Sequence, residues 1–107
     1  MNLNSFIIST LAPTGVPVRW LNYSGALTTY ITFFEYNQQG DLFGDDTELN
    51  TRKSIQVDVW DKGDYTELVN QVRTLLINSG FTRNSETEFY EKDTGVYHKV
   101  FRLYYTN

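Results

Sequence analysis

Ile55-Gln56-Val57-Asp58-Val59-Trp60-Asp61-Lys62-Gly63-Asp64-Tyr65-Thr66-Glu67-Leu68-Val69 decides the fold, because its side-chain period changes in the middle. Ile55, Val57 and Val59 alternate with Gln56, Asp58 and Trp60, the period of two of a half-buried strand. From Tyr65 the apolar positions fall at Leu68, Val69, Val72, Leu75 and Leu76, the period of about 3.6 of a helix face. Asp61-Lys62-Gly63-Asp64 is the turn between them. The spacing predicts a strand over 53–60 and a main helix over about 64–79. Asp64 and Glu67 have the separation of a capping box, with Asp in place of Ser or Thr. Gly80 is placed to end the helix in a left-handed conformation.

Upstream, Leu3, Phe6, Ile7 and Leu11 mark one face of a short helix that Asn2 can cap and that Pro13 and Gly15 stop. Val16, Val18 and Trp20 alternate with Pro17 and Arg19 as a first strand. Pro17 has no N–H to give, which places that strand at a sheet edge or its proline on an unpaired side. Ser24-Gly25 lies in a turn, and Thr28 to Tyr36 reads as a second strand, with aromatic residues pointing both ways. Both of its faces are therefore expected to be covered, one by the helices and the other by a partner chain. Downstream, Phe81 to Arg83 opens a fourth strand that can continue to Tyr90. Lys92-Asp93-Thr94-Gly95 is a turn, and Val96 to Tyr105 is the last strand.

The order αβββαββ predicts one α+β domain over 1–107. It would hold a single, mostly antiparallel sheet of about five strands, with the N-terminal helix and the 64–79 helix packed on it. Short links favour antiparallel neighbours.

Asn37 to Thr51 breaks the pattern. It holds two glycines and the acids Asp41, Asp45, Asp46 and Glu48, with Leu42 and Phe43 among them. It reads either as a hairpin tip without fixed structure or as an assembly arm with Leu42-Phe43 as the plug. The acids do not match the spacing of a calcium loop.

Composition narrows the function classes. The chain has 107 residues, a net charge of −4 and 16% aromatic residues, with mean hydropathy of −0.42. An acidic chain without a basic cluster is a poor sequence-independent nucleic-acid binder, since such binders release counterions with Lys and Arg. The absence of cysteine excludes a disulfide framework and a thiolate metal site. The N-terminus lacks the positive flank of a signal peptide, and no apolar run reaches spanning length, so a soluble intracellular product is expected.

Chemistry is sparse. His98, the single histidine, reads as a hydrogen-bonded structural residue. Glu86, Glu88, Glu91 and Asp93 read as a solvated hairpin rather than a catalytic carboxylate pair. Trp60 points away from the Ile55-Val57-Val59 face, and either covers the sheet beside the turn or meets a neighbouring subunit. No catalytic, cofactor or metal residues are assigned.

Val16-Pro17-Val18, Tyr30-Ile31-Thr32-Phe33, Ile55-Gln56-Val57-Asp58-Val59-Trp60, Gly63-Asp64-Tyr65 and Tyr90-Glu91-Lys92-Asp93-Thr94 with Tyr97-His98-Lys99 stand in this order. Over about residues 1–105 this resembles the small tail-completion, or tail-terminator, proteins of long-tailed siphophages and prophages of Gram-positive bacteria. The resemblance implies a ring, commonly a hexamer, at the head-proximal end of the virion tail, assembled in the host cytoplasm. It implies contacts with the major tail tube protein and the head–tail connector, DNA crossing the lumen without specific binding, and no membrane. It carries over no catalytic residues. Candidate assembly residues are Asp41, Leu42, Phe43, Asp45, Asp46, Trp60 and Tyr36. Competing readings are a small intracellular adaptor or regulatory domain, an enzyme of unknown type, which would lack a positioned nucleophile, base or metal ligand, and a neighbouring head-completion or connector component.

Overall fold

The computed structural model describes residues 2–36 and 52–106. Helix α1 (Leu3–Leu11) runs into a 3₁₀ turn at Ala12–Thr14. Strands β1 (Val18–Trp20), β2 (Tyr30–Tyr36) and β3 (Arg52–Asp61) follow. Then come helix α2 (Thr66–Asn78) and the hairpin β4 (Thr82–Glu91) and β5 (Val96–Thr106). The sheet order is β1-β2-β3-β5-β4. The expected α+β class and element order hold, and the sheet is mostly antiparallel.

Local signals explain the boundaries. Asn2 caps α1, its side-chain oxygen accepting from the Ser5 N–H at 2.8 Å. Gly15 ends the 3₁₀ turn at φ 77°. After α2, the Gly80 N–H donates to the Ile77 carbonyl and the Phe81 N–H to the Leu76 carbonyl, both at 3.1 Å. That paired pattern is a Schellman cap, and it requires the φ of +105° that Gly80 adopts. The start of α2 departs from the expected capping box. Asp64 accepts from the Thr66 N–H and hydroxyl at 3.0 and 2.7 Å, so the helix begins at Thr66, with Asp64 bonded to Thr66. These bonds hold the Asp64 carboxyl below its usual pKa.

One pairing contradicts the antiparallel expectation: β1 runs parallel to β2, Val18 opposite Ile31 and Trp20 opposite Phe33. Leu21 at φ 70° turns the chain out of β1, and the link over 21–29 carries it back to enter β2 in the same direction. Tyr23 braces that link. Its hydroxyl accepts from the Leu27 N–H at 3.1 Å, its ring stacks on Tyr30 with centroids 4.6 Å apart, and a Cβ at Gly25 would overlap it. Strand β1 does lie at the edge, as Pro17 requires.

The core lies between the sheet and the two helices. Ile31, Phe33, Ile55, Val57, Val59, Phe101 and Leu103 from the sheet pack with Ile7 and Leu11 of α1 and Val69, Val72 and Leu76 of α2. Burying each such side chain stabilises the fold by roughly 1.5–3 kcal/mol, opposed by the entropy of ordering the chain. The opposite sheet face has no helix over it among the described residues. The expectation that helices cover one face of β2 therefore holds, and its second face is the one they leave.

Candidate assembly surfaces

On the helix-free face, strand register aligns side chains into rows. Tyr30, Trp60, His98 and Phe89 stand directly opposite one another across β2, β3, β5 and β4. Their rings form a continuous aromatic row. Tyr30 and Trp60 centroids are 5.8 Å apart, Trp60 and His98 3.6 Å, and His98 and Phe89 5.9 Å, with Tyr23 extending the row beyond Tyr30. The Trp60 indole N–H donates to the Thr32 hydroxyl at 3.0 Å, which fixes the indole plane. Burial, and then the charge of Glu91, raise the Tyr30 pKa.

The next row, Thr32, Asp58, Val100 and Thr87, is mixed. Asp58 is only 6% exposed although no helix lies above it among the described residues. Longer neighbours cover it. Gln56 Nε2 donates to its two oxygens at 3.0 and 3.3 Å, and His98 Nε2 lies 3.2 Å from Oδ2. His98 does not fulfil the hydrogen-bonded reading: its Nε2 is buried without an aligned partner, and the Trp60 stack holds the ring. Further along, Arg102 donates to Gln56 Oε1 at 3.3 Å and lies over the Tyr36 ring, its guanidinium carbon 5.4 Å from the centroid. Arg52 covers Tyr104 at 4.3 Å. Such cation–aromatic contacts contribute about 0.5–1 kcal/mol each at exposed sites.

Tyr36 and Trp60 therefore share this face, but three rows apart, roughly 20 Å at strand rise. They do not form one patch. Asp41, Leu42, Phe43, Asp45 and Asp46 lie outside the described residues.

On the helix side of β4 the hairpin acids are not uniformly solvated. Glu86 takes a two-pronged bond from Arg73, Nε and Nη2 each at 2.8 Å, with Arg83 at 3.1 Å and Lys99 at 3.3 Å. The Arg73 bonds, with further help from Arg83 and Lys99, hold its pKa down to about 2. Alternation along β4 gave no sign of this, because Arg73 arrives from α2. Glu88 accepts from the Tyr65 hydroxyl at 2.7 Å. Burial and this bond push the Tyr65 pKa up. Tyr65, with Asp64, lines two shallow clefts of about 430 and 470 Å³, the second also bordered by Asp61 and Glu67. Neither cleft brings His98 to a hydroxyl nucleophile.

The sheet edges differ. The Ile31 N–H donates to the Pro17 carbonyl at 2.8 Å and the Leu21 N–H to the Phe33 carbonyl at 2.9 Å. Val18 and Trp20, between these positions, therefore turn their backbone groups outward. Both outward carbonyls are taken locally. Arg19 Nη1 donates to the Val18 carbonyl at 3.0 Å and the Asn22 N–H to the Trp20 carbonyl at 2.8 Å. This blunts β1 against strand pairing. Beyond β4 no strand lies among the described residues, and β4 is exposed along nearly its whole length. It bends once, at a bulge between Arg83 and Ser85.

No family model matches this chain, and no curated protein matches it. The functional reading therefore stands on residues and geometry, with the resemblance noted above.

Proposed function

We propose that this chain is a structural virion protein. It caps the head-proximal end of a phage tail tube as a ring, stops tube polymerisation and offers the docking surface for the head connector. Six copies is the number the resemblance implies. The carrying observation is the helix-free sheet face with its aromatic row, Tyr23, Tyr30, Trp60, His98 and Phe89. A two-layer domain with one helical face and one aromatic face presents two unlike surfaces. Heterologous contacts close into a ring when the rotation between neighbours closes. Aromatic residues that are apolar in the body and polar at the tip suit a surface that is dry when assembled and wet when free.

In this reading growth stops by shape. One face of the ring matches the tube end, and the other does not match a further tube subunit. The net charge of −4 suits a lumen that DNA crosses without adhering. The partners are the chain itself, the tail tube protein and the connector, and no catalytic step is involved. Adding the purified protein to purified tail tubes, with excess tube protein, tests this by negative-stain imaging. A disc at one tube end and no further elongation is the expected result. Tubes that lengthen undisturbed would refute it.

A further inference from the structure

Charge is distributed unevenly along this chain. From Met1 to Phe34 the only charged side chain is Arg19. The segment is not hidden. Twenty-seven of its described residues are at least partly exposed, enough for part of them to supply the 20–30 residues a side of a standard interface. Its surface includes half-exposed Ile8, Trp20 and Leu21, and Leu27 at 60%. Depletion of charge together with exposed Trp and aliphatic groups is the composition of an interface centre.

A second apolar feature lies at the opposite sheet edge. Near the end of β4, Phe89 and Tyr90 project to opposite faces, each about half exposed. Phe89 is tilted against His98, and Tyr90 against Tyr97 at 4.6 Å, so the pair forms a braced aromatic wedge straddling the edge. Exposed acids flank it: Glu88, Glu91 and Asp93.

We infer that copies of this chain meet head to tail, the uncharged surface around Trp20, Leu21 and Leu27 of one copy receiving the Phe89–Tyr90 wedge of the next. The inference rests on the ring reading and names its subunit contact. The two features sit on β1 with its following link and on β4, the outermost strands of a five-stranded sheet, roughly 19 Å apart at ordinary strand spacing. Each copy can thus use both at once, as a ring requires. Arg19 is the one cation of the receiving surface, and the wedge, with Glu88, Glu91 and Asp93 around Lys92, carries a net negative charge, so surfaces of opposite net charge meet in this arrangement. Pairing wedge to wedge would set Glu88 and Glu91 against their own copies. Pairing the uncharged surfaces would leave both wedges exposed. Because the outward carbonyls of β1 are already bonded, the contact is made by side chains rather than by strand addition.

The absence of native cysteine makes the test clean. Leu27→Cys and Phe89→Cys chains are treated with a short bismaleimide, singly and mixed, alone at millimolar concentration and with tail tubes. A product in the mixture but in neither single variant is expected. A Leu27→Cys homodimer, or no product under any condition, overturns the contact. Arg19→Glu should weaken self-association about 10-fold or more by sedimentation, and Glu91→Arg should restore it; loss without restoration counts against the arrangement. Wild-type capping of tubes with no 27-to-89 product removes this contact and leaves the ring. The product without capping removes the tail reading and leaves the contact.

Discussion

Val57 and Asp58 are adjacent on β3 and almost equally buried, yet for opposite reasons. Val57 faces the helices and lies in a layer of Ile31, Phe33, Phe101, Leu11 and Leu76, where apolar surface meets apolar surface. Asp58 faces the helix-free side and is covered by Gln56, His98 and the neighbouring Trp60. One face of the sheet is buried by other elements, the other by the reach of its own side chains. The first kind of burial makes the domain stable. The second keeps a broad surface in order with no helix above it among the described residues.

The largest effect should come from the covered face. Phe101→Ala removes a fully buried ring under the helices and is expected to cost about 3–5 kcal/mol in urea unfolding. A loss below about 1 kcal/mol would mean the helices do not pack as described. Asp58→Ala should cost less, about 1–3 kcal/mol, because it leaves the Gln56 amide without its acceptor and removes the carboxylate that lies 3.2 Å from His98 Nε2. It should also loosen the Trp60–His98 stack, visible as a change in tryptophan fluorescence. An unchanged spectrum and midpoint would show that this face is not organised around the carboxylate.

Glu86→Gln should cost about 1–2 kcal/mol at neutral pH, discounted for the rim position of the cluster. The pH profile sharpens this. The folded-state pKa of Glu86 is about 2, against an ordinary value of 4.5. Its contribution is therefore complete above about pH 4.5 and lost as pH falls toward 2. The stability gap between wild type and Glu86→Gln should close over that window, and a gap independent of pH there would exclude the Arg73–Glu86 pair as its source. Smallest should be Trp60→Phe, which keeps the stacked row but loses the bond to Thr32, at about 0.5–1.5 kcal/mol. If the open face is an assembly surface, this variant should impair tube capping more than folding. Capping and stability falling in step would make Trp60 a structural residue only.

The elements were legible in the sequence because each carries a local signal. Asn2 before α1, the alternation over Ile55 to Val59, the helical period from Tyr65 and Gly80 behind α2 all appear where they act. Each boundary depends on residues within a few positions. The direction of β1 was not legible, because it depends on Leu21 at positive φ and a link that doubles back. The assembly candidates fared unevenly for a similar reason. Trp60 points to the open face as alternation implies, whereas its separation from Tyr36 follows from register, which a single strand does not encode.

The hairpin carboxylates show the same boundary between local and non-local information. Glu86 and Glu88 look identical along β4, two residues apart on one face. Arg73 from α2 and Lys99 from β5 make the first the centre of an ion cluster, while the Tyr65 hydroxyl claims the second.

By itself, the sequence determined the order of helices and strands, the Asn2 and Gly80 ends, and which face of each element is apolar, since these follow from side-chain period and backbone preference over short spans. Only the tertiary structure decided that β1 runs parallel, that Asp58 is buried on an open face, that five aromatic rings line up across the sheet, and that Glu86 stays ionised deep into acid. Those outcomes depend on which strands become neighbours and in what register, and that is fixed only when distant segments pack together.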